Sequence, residues 1–188
     1  MGIYVFRVKR LITILLIIIL FFLLILFYKD IGRILFPIKY RGYIDEYAYK
    51  YSIDPLLVAS IIKTESGYDK DALSSKGAMG LMQILPSTGK WAAENLKLEN
   101  FNEEKLYNPE TNIMIGCWYI NNLNNQFDDE LRLVLAAYNG GSGNVSKWLK
   151  NEKYSNDGKE LNKIPFKETE DYIEKVLKTY KLYKIFYR

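Results

Sequence analysis

The chain has 188 residues, with 26 Lys and Arg against 22 Asp and Glu, one Cys and no His, a length that holds one ordinary domain and an appendage. The lack of His excludes a Ser/His/Asp triad, a Cys/His peptidase and a histidine-ligated zinc site, and the single Cys excludes an intramolecular disulfide. Residues 1–28 hold three of the basic groups and none of the acidic ones, which leaves 23 against 22 in the remainder and no basic surface for nucleic acid.

Leu11 to Phe27 is an apolar run interrupted only by Thr13 and preceded by Arg7, Lys9 and Arg10. Its length, roughly 25 Å as a helix, is at the short end of a bilayer span. The run ends Phe27-Tyr28-Lys29-Asp30, with no small-residue cleavage site, so it reads as an uncleaved signal anchor and not a cleaved signal peptide. Lys29, Arg33, Lys39 and Arg41 follow the span as densely as basic residues precede it, so the positive-inside rule does not set the topology. The expected organisation is an anchor segment with membrane contact over residues 11–28, a tether over 29–41 and a globular domain over 42–188.

A first helix is expected over residues 42–51, and a second from Pro55 to Ser66, where Asp54 supplies a cap and Pro55 occupies the first helical position. In that second helix Val58, Ile61 and Ile62 share one face. Glu65 lies seven, four and three residues after them, so its carboxylate points the way the core points. Partial burial disfavours the charged form and raises a carboxyl pKa, which suits a proton donor near neutral pH. The competing reading is a frayed helix end whose carboxylate turns out to water.

Ser66-Gly67 can stop this helix. Ser74, Ser75, Gly77 and Gly80 then form a segment of little bulk that can bring backbone groups close to a ligand, and Gln83 adds an amide. Further helices are expected over Ser87–Leu96, Pro109–Leu123 with Asn108 as cap, Asp129–Tyr138 stopped by Asn139-Gly140-Gly141, Asn144–Lys150 and Lys167–Tyr187. In the last, Tyr172, Val176, Tyr180 and Tyr183 can share a face. Asn151 to Asn162 reads as a polar loop, and Cys117, inside a helical run, as a small buried hydrophobe. Lys147, Lys150, Lys153 and Lys159 read as a solvated face.

Taken as strings, Glu65-Ser66, Gly77-Ala-Met-Gly-Leu-Met-Gln83 and Pro86-Ser-Thr88 resemble the lytic transglycosylases of the soluble lytic murein transglycosylase type, in the lysozyme-like superfamily. Asn108-Pro109 with Asn112 and Gly116, Ala136-Ala-Tyr-Asn-Gly140, and Glu168-Thr169 with Tyr172 follow in the same order, so the resemblance covers roughly residues 45 to 185. It implies a mainly α, lysozyme-like helical domain behind the N-terminal transmembrane helix. It also implies a carbon–oxygen lyase acting on peptidoglycan glycan strands, with no metal or other cofactor, and a single-pass protein whose domain lies outside the cytoplasm.

The family is understood to use one Glu as acid and then base. The acid protonates the glycosidic oxygen between N-acetylmuramic acid and N-acetylglucosamine. The same carboxylate then deprotonates the muramoyl C6 hydroxyl, which closes a 1,6-anhydro ring. By resemblance Glu65 is the catalytic group, Ser74 and Gln83 contact or orient the glycan, Tyr138 and Asn139 border the cleft, and Tyr172 is an aromatic near the acid. Tyr68, Lys70, Gly140 and Ser142 depart from the family's usual phenylalanine, proline, alanine and proline, which bears on loop rigidity and substrate preference. A hydrolytic muramidase and a non-catalytic peptidoglycan-binding or assembly module remain as alternatives.

Overall fold

The structure, a computed structural model, describes residues 2–188. The chain forms two compact units, one of residues up to Pro37 together with Tyr183–Arg188, the other of Ile38–Leu182.

The first unit contains α1 (Gly2–Leu26), a bend at Phe27, and α2 (Tyr28–Leu35). Within α1, Lys9–Leu26 has a mean hydropathy of 2.8 and none of it is covered by the rest of the chain. The helix α2 falls in the stretch that the sequence suggests to be a tether. Eight residues with a central glycine and three charges carry too little helical signal to register.

The second unit is helical. It holds α3 (Arg41–Lys50), α4 (Pro55–Glu65), α5 (Pro86–Leu96), a 3-10 turn (Glu103–Tyr107), α6 (Pro109–Gln126), α7 (Leu131–Gly140), α8 (Ser142–Leu149) and the greater part of α9 (Lys167–Tyr187). Among the described residues there is no strand, only isolated bridges from Met79 to Leu73 and Ile84 that tighten the loop after α4.

Helix α4 lies within the core. Every residue from Leu56 to Ile62 is buried, the pattern of a helix enclosed on all sides. Ile61 and Ile62 are wholly buried, each worth about 2–3 kcal/mol of apolar burial. The Asp54 carboxylate accepts from the Leu56 N–H at 2.9 Å and fixes where the helix starts. Its other oxygen accepts from the Tyr180 hydroxyl at 2.5 Å, which ties α9 to that start. Helix α6 packs against α3, α5 and α7, with Ile113, Ile115, Cys117 and Ile120 wholly buried, and α3 in turn packs against α4. Asn108 caps α6 through the Thr111 N–H at 3.0 Å, and Pro109 is its first residue, as the sequence predicts.

The boundaries of α7 differ from expectation. Asp128 and Asp129 both have positive φ (51° and 58°) and stand outside the helix. The cap is Glu130, whose carboxylate accepts from the N–H groups of Arg132 and Leu133 at 3.2 and 2.6 Å. The helix then runs through Asn139 and Gly140 to a break at Gly141, φ 87°. Asn139 does not end it because its side chain is engaged elsewhere, and Asn144 Nδ2 caps the Gly140 carbonyl at 2.8 Å. The polar stretch 151–162 is a hydrogen-bonded loop in which Asp157 accepts from the Lys159 and Glu160 N–H groups at 2.8 and 3.0 Å.

Candidate active site

Glu65 is the last residue of α4, so the apolar face that buries Val58, Ile61 and Ile62 also carries its carboxyl group inward. It is half-buried, and its pKa is pushed up from the ordinary 4.5 to about 7. Desolvation is the dominant cause, and the hydroxyl of Tyr172 opposes it. That hydroxyl is buried and lies outside good hydrogen-bond geometry with any partner, yet it is near enough to favour the Glu65 carboxylate. The frayed-end alternative, a carboxylate in open water, does not describe this group.

The loop after α4 is built to face Glu65. Ser66 Oγ donates to the Leu81 carbonyl at 2.8 Å, folding the loop back on the helix end. Asn112, wholly buried in α6, holds the same loop from the other side. Its Oδ1 accepts from the Met82 N–H at 2.7 Å, and its Nδ2 donates to the carbonyls of Met79 at 2.9 Å and Leu106 at 2.7 Å. Gly80 makes this approach possible. Its φ is 74°, and a Cβ there would stand 2.3 Å from the Leu106 carbonyl oxygen.

The loop thus presents its polar groups to a cleft of about 360 Å³. Glu65, Ser74, Gln83, Tyr138 and Asn139 all line it. Ser74 Oγ accepts from the Ala78 N–H at 2.9 Å, which closes the loop and leaves its own O–H to donate. Gln83 Nε2 donates to the carbonyls of Ala72 and Gly80 at 3.2 and 3.0 Å, which orients the amide oxygen as its remaining acceptor. The Tyr138 hydroxyl donates to the Met82 carbonyl at 2.7 Å, and its ring packs against Tyr119 at 5.5 Å. Asn139 Oδ1 accepts from Thr169 Oγ at 2.8 Å, so its amide N–H groups are free to donate.

Tyr172 stands apart from the other five. It does not line the cleft, and it is buried against Glu65, where it acts on the acid. Lys76, Thr88, Tyr119 and Glu168 also line the cleft, and the sequence does not mark them as site residues. Lys76 and Glu168 form an exposed ion pair at 3.4 Å. Spacing gives no signal for these four, because each reaches the cleft from a different element. Asp69 and Asp71, the carboxylates nearest to Glu65 in sequence, are exposed and do not line it.

A half-buried carboxyl poised near neutrality in the lining of a cleft can give a proton to an ether oxygen and take one back. Residues 42–161 match the transglycosylase SLT domain. The chain belongs to the transglycosylase SLT domain family. It is 33% identical over 155 residues to the soluble lytic murein transglycosylase of Escherichia coli K12, covering 81% of this chain and 23% of that protein. It is 34% identical over 124 residues to membrane-bound lytic murein transglycosylase C of Shigella sonnei, covering 61% of this chain and 34% of that protein. The crystal structure of the 70 kDa soluble lytic transglycosylase of E. coli superposes with a TM-score of 0.73 at 30% identity, over 82% of this chain and 25% of that one. An inactive mutant of the Pseudomonas aeruginosa lytic transglycosylase Slt gives a TM-score of 0.71 over 81% of this chain and 25% of that one. The lysozyme-like helical fold is therefore that of the SLT family. The chain spans only about a quarter of the length of the soluble relatives it matches.

Proposed function

We propose that this SLT-family chain is a membrane-anchored lytic transglycosylase of peptidoglycan. The observation that carries the reading is Glu65, a half-buried carboxyl group that lines the cleft and is held near pKa 7. In the proposed reaction the protonated Glu65 gives its proton to the glycosidic oxygen linking N-acetylmuramic acid to N-acetylglucosamine. The bond from that oxygen to muramoyl C1 breaks, and the leaving sugar departs as an alcohol. The Glu65 carboxylate then takes the proton of the muramoyl C6 hydroxyl, whose oxygen bonds to C1 and closes the 1,6-anhydro ring. Atoms and charge balance without water. Holding the C6 hydroxyl against C1 makes the second step intramolecular, with an effective molarity of about 10⁵ M or more when well oriented.

Ser74, Gln83 and Asn139 are assigned to the glycan, through the O–H, amide oxygen and amide N–H groups that the internal hydrogen bonds leave available, and Tyr138, whose hydroxyl is engaged by the Met82 carbonyl, is assigned to it through its ring in the cleft wall. We assign residues 1–28 to a short cytoplasmic tail and a single membrane span, 29–41 to a tether and 42–188 to the transglycosylase domain, placed outside the cytoplasm where its substrate lies. The uncovered apolar helix Lys9–Leu26 supports the span.

The test is mass spectrometry of muropeptides released from purified peptidoglycan by the chain, beside a Glu65→Gln variant. Products about 18 Da lighter than reducing-end muropeptides, lost with the variant, would fit the single-carboxylate route. Reducing ends would make it a muramidase, and no product from either protein would leave a binding module.

A further inference from the structure

The juxtamembrane helix α2 has two unlike sides. At about 100° per residue, Tyr28, Ile31, Ile34 and Leu35 fall within an arc of about 120°, while Lys29, Asp30 and Arg33 occupy the opposite arc. Between these arcs α2 is closed by the last turn of α9, which belongs to the same compact unit. Phe186 packs directly on Gly32, where an added Cβ would meet its ring at 2.1 Å. Arg33 Nε donates to the Phe186 carbonyl at 2.8 Å, the Phe36 and Phe186 rings stack at 5.7 Å, and the Tyr187 hydroxyl donates to the Phe36 carbonyl at 2.9 Å.

The apolar arc, by contrast, is bare. Ile34 is 78% and Leu35 67% exposed, Tyr28 46% and Ile31 37%. A short helix gains little by itself from such residues in water. What covers them is indicated by their place in the chain, since Phe27 alone separates α2 from the end of α1 and its uncovered apolar window Lys9–Leu26. If that window crosses the bilayer, α2 begins at the edge of the hydrocarbon, within an interfacial layer about 5–8 Å deep on each side. Aromatic residues favour that depth, and Phe27 and Tyr28 stand there. Lys29 and Arg33, on the far arc, are placed for headgroup phosphates or water.

The geometry points to α2 as a membrane-surface helix. Its Ile31, Ile34 and Leu35 face embeds in the headgroup–acyl boundary, and its other side is braced by Phe186 and Tyr187. The occupant is the lipid surface, not a second copy of the chain. This inference rests on the membrane span proposed above, and the experiment separates the two.

The full chain would be reconstituted in phosphatidylcholine–phosphatidylglycerol vesicles with an environment-sensitive fluorophore on one introduced thiol at a time. The positions are Ile19→Cys in the span, Ile34→Cys and Leu35→Cys on the apolar arc, Asp30→Cys on the opposite arc, and Tyr49→Cys as an exposed residue of the other unit. The native Cys117 is wholly buried, and the chain without an added thiol gives its background labelling. With lipids spin-labelled near the carbonyl, emission from positions 34 and 35 should be roughly halved and blue-shifted, while positions 30 and 49 stay unquenched; position 19 should respond to a label deep in the acyl chain. Quenching at 19 but not at 34 and 35 would overturn the surface helix and leave the span intact. No quenching at 19 would remove the span and this inference with it. Protection of 34 and 35 that scales with protein-to-lipid ratio would assign the face to a second copy and also overturn it.

Discussion

Thr169 gives its hydroxyl proton to the side-chain oxygen of Asn139 at 2.8 Å, across two helices that meet at the cleft. Two sequence blocks thirty residues apart, Tyr138-Asn139 and Glu168-Thr169, are thereby one device. Thr169 is 2% exposed, so its hydroxyl has no water to fall back on. The bond fixes which end of the Asn139 amide faces the cleft. Thr169→Val should cost about 1–2 kcal/mol of stability and lower kcat/KM on purified peptidoglycan about tenfold, by releasing the amide to rotate. Thr169→Ser should restore most of both, and equal turnover by all three proteins would show that the Asn139 amide orientation is immaterial.

Tyr172 offsets part of the desolvation of Glu65. Its hydroxyl lowers the Glu65 pKa against a larger desolvation effect that raises it. Because the first step needs the protonated acid, activity should fall as pH rises through about 7. Removing the hydroxyl in Tyr172→Phe should move that descending limb upward. The hydroxyl has no well-formed hydrogen bond, so the same change should leave the melting temperature unchanged or slightly higher. A pH–rate profile settles the direction. A limb that moves down would mean that the hydroxyl opposes the carboxylate.

Glu65 should also lower the stability of the fold at high pH. Its folded pKa, about 7, is above the ordinary 4.5, so the folded state binds the proton more tightly than the unfolded one. The favourable contribution is complete below about 4.5 and is lost as pH rises through about 7. Glu65→Gln, which carries no charge, should match the native chain near pH 4.5. Above pH 7 it should be more stable, by up to about 3 kcal/mol. Thermal unfolding at the two pH values measures this, and a stability gap that does not change with pH would mean that Glu65 is not desolvated.

What the sequence made legible follows from how local each determinant is. Asp54-Pro55 and Asn108-Pro109 place the starts of α4 and α6 because a cap and a proline act within one turn. Glu65 could be read because the helical period carries it onto the face of Ile61 and Ile62. The end of α7 could not be read, since Asn139-Gly140 is a stop signal by local chemistry and only Thr169, thirty residues away, employs the Asn139 side chain otherwise. Tyr172 and Tyr138 are alike as sequence, but only burial separates the one behind the acid from the one in the cleft. Lys76 and Glu168 come together across 92 positions, and no spacing rule reaches that far.

Asn112 carries the strongest prediction for the scaffold of the site. It is wholly buried and uses both ends of its amide, taking the Met82 N–H and giving to the Met79 and Leu106 carbonyls. Met82 precedes Gln83, and its carbonyl receives the Tyr138 hydroxyl, so the amide anchors the loop segment between two lining residues. Asn112→Leu, close in volume, fills the space but leaves one N–H and two carbonyls buried without these partners. Each such loss costs about 1–3 kcal/mol, so the variant should be at least about 3 kcal/mol less stable. Turnover should also fall at temperatures where the variant is still folded, because Gln83 and the loop are then no longer held against Glu65. Asn112→Asp tests the acceptor separately, since it retains an oxygen for Met82 but has no N–H to give to Met79 and Leu106. If both variants unfolded at the native temperature, the buried amide would not be what holds this loop.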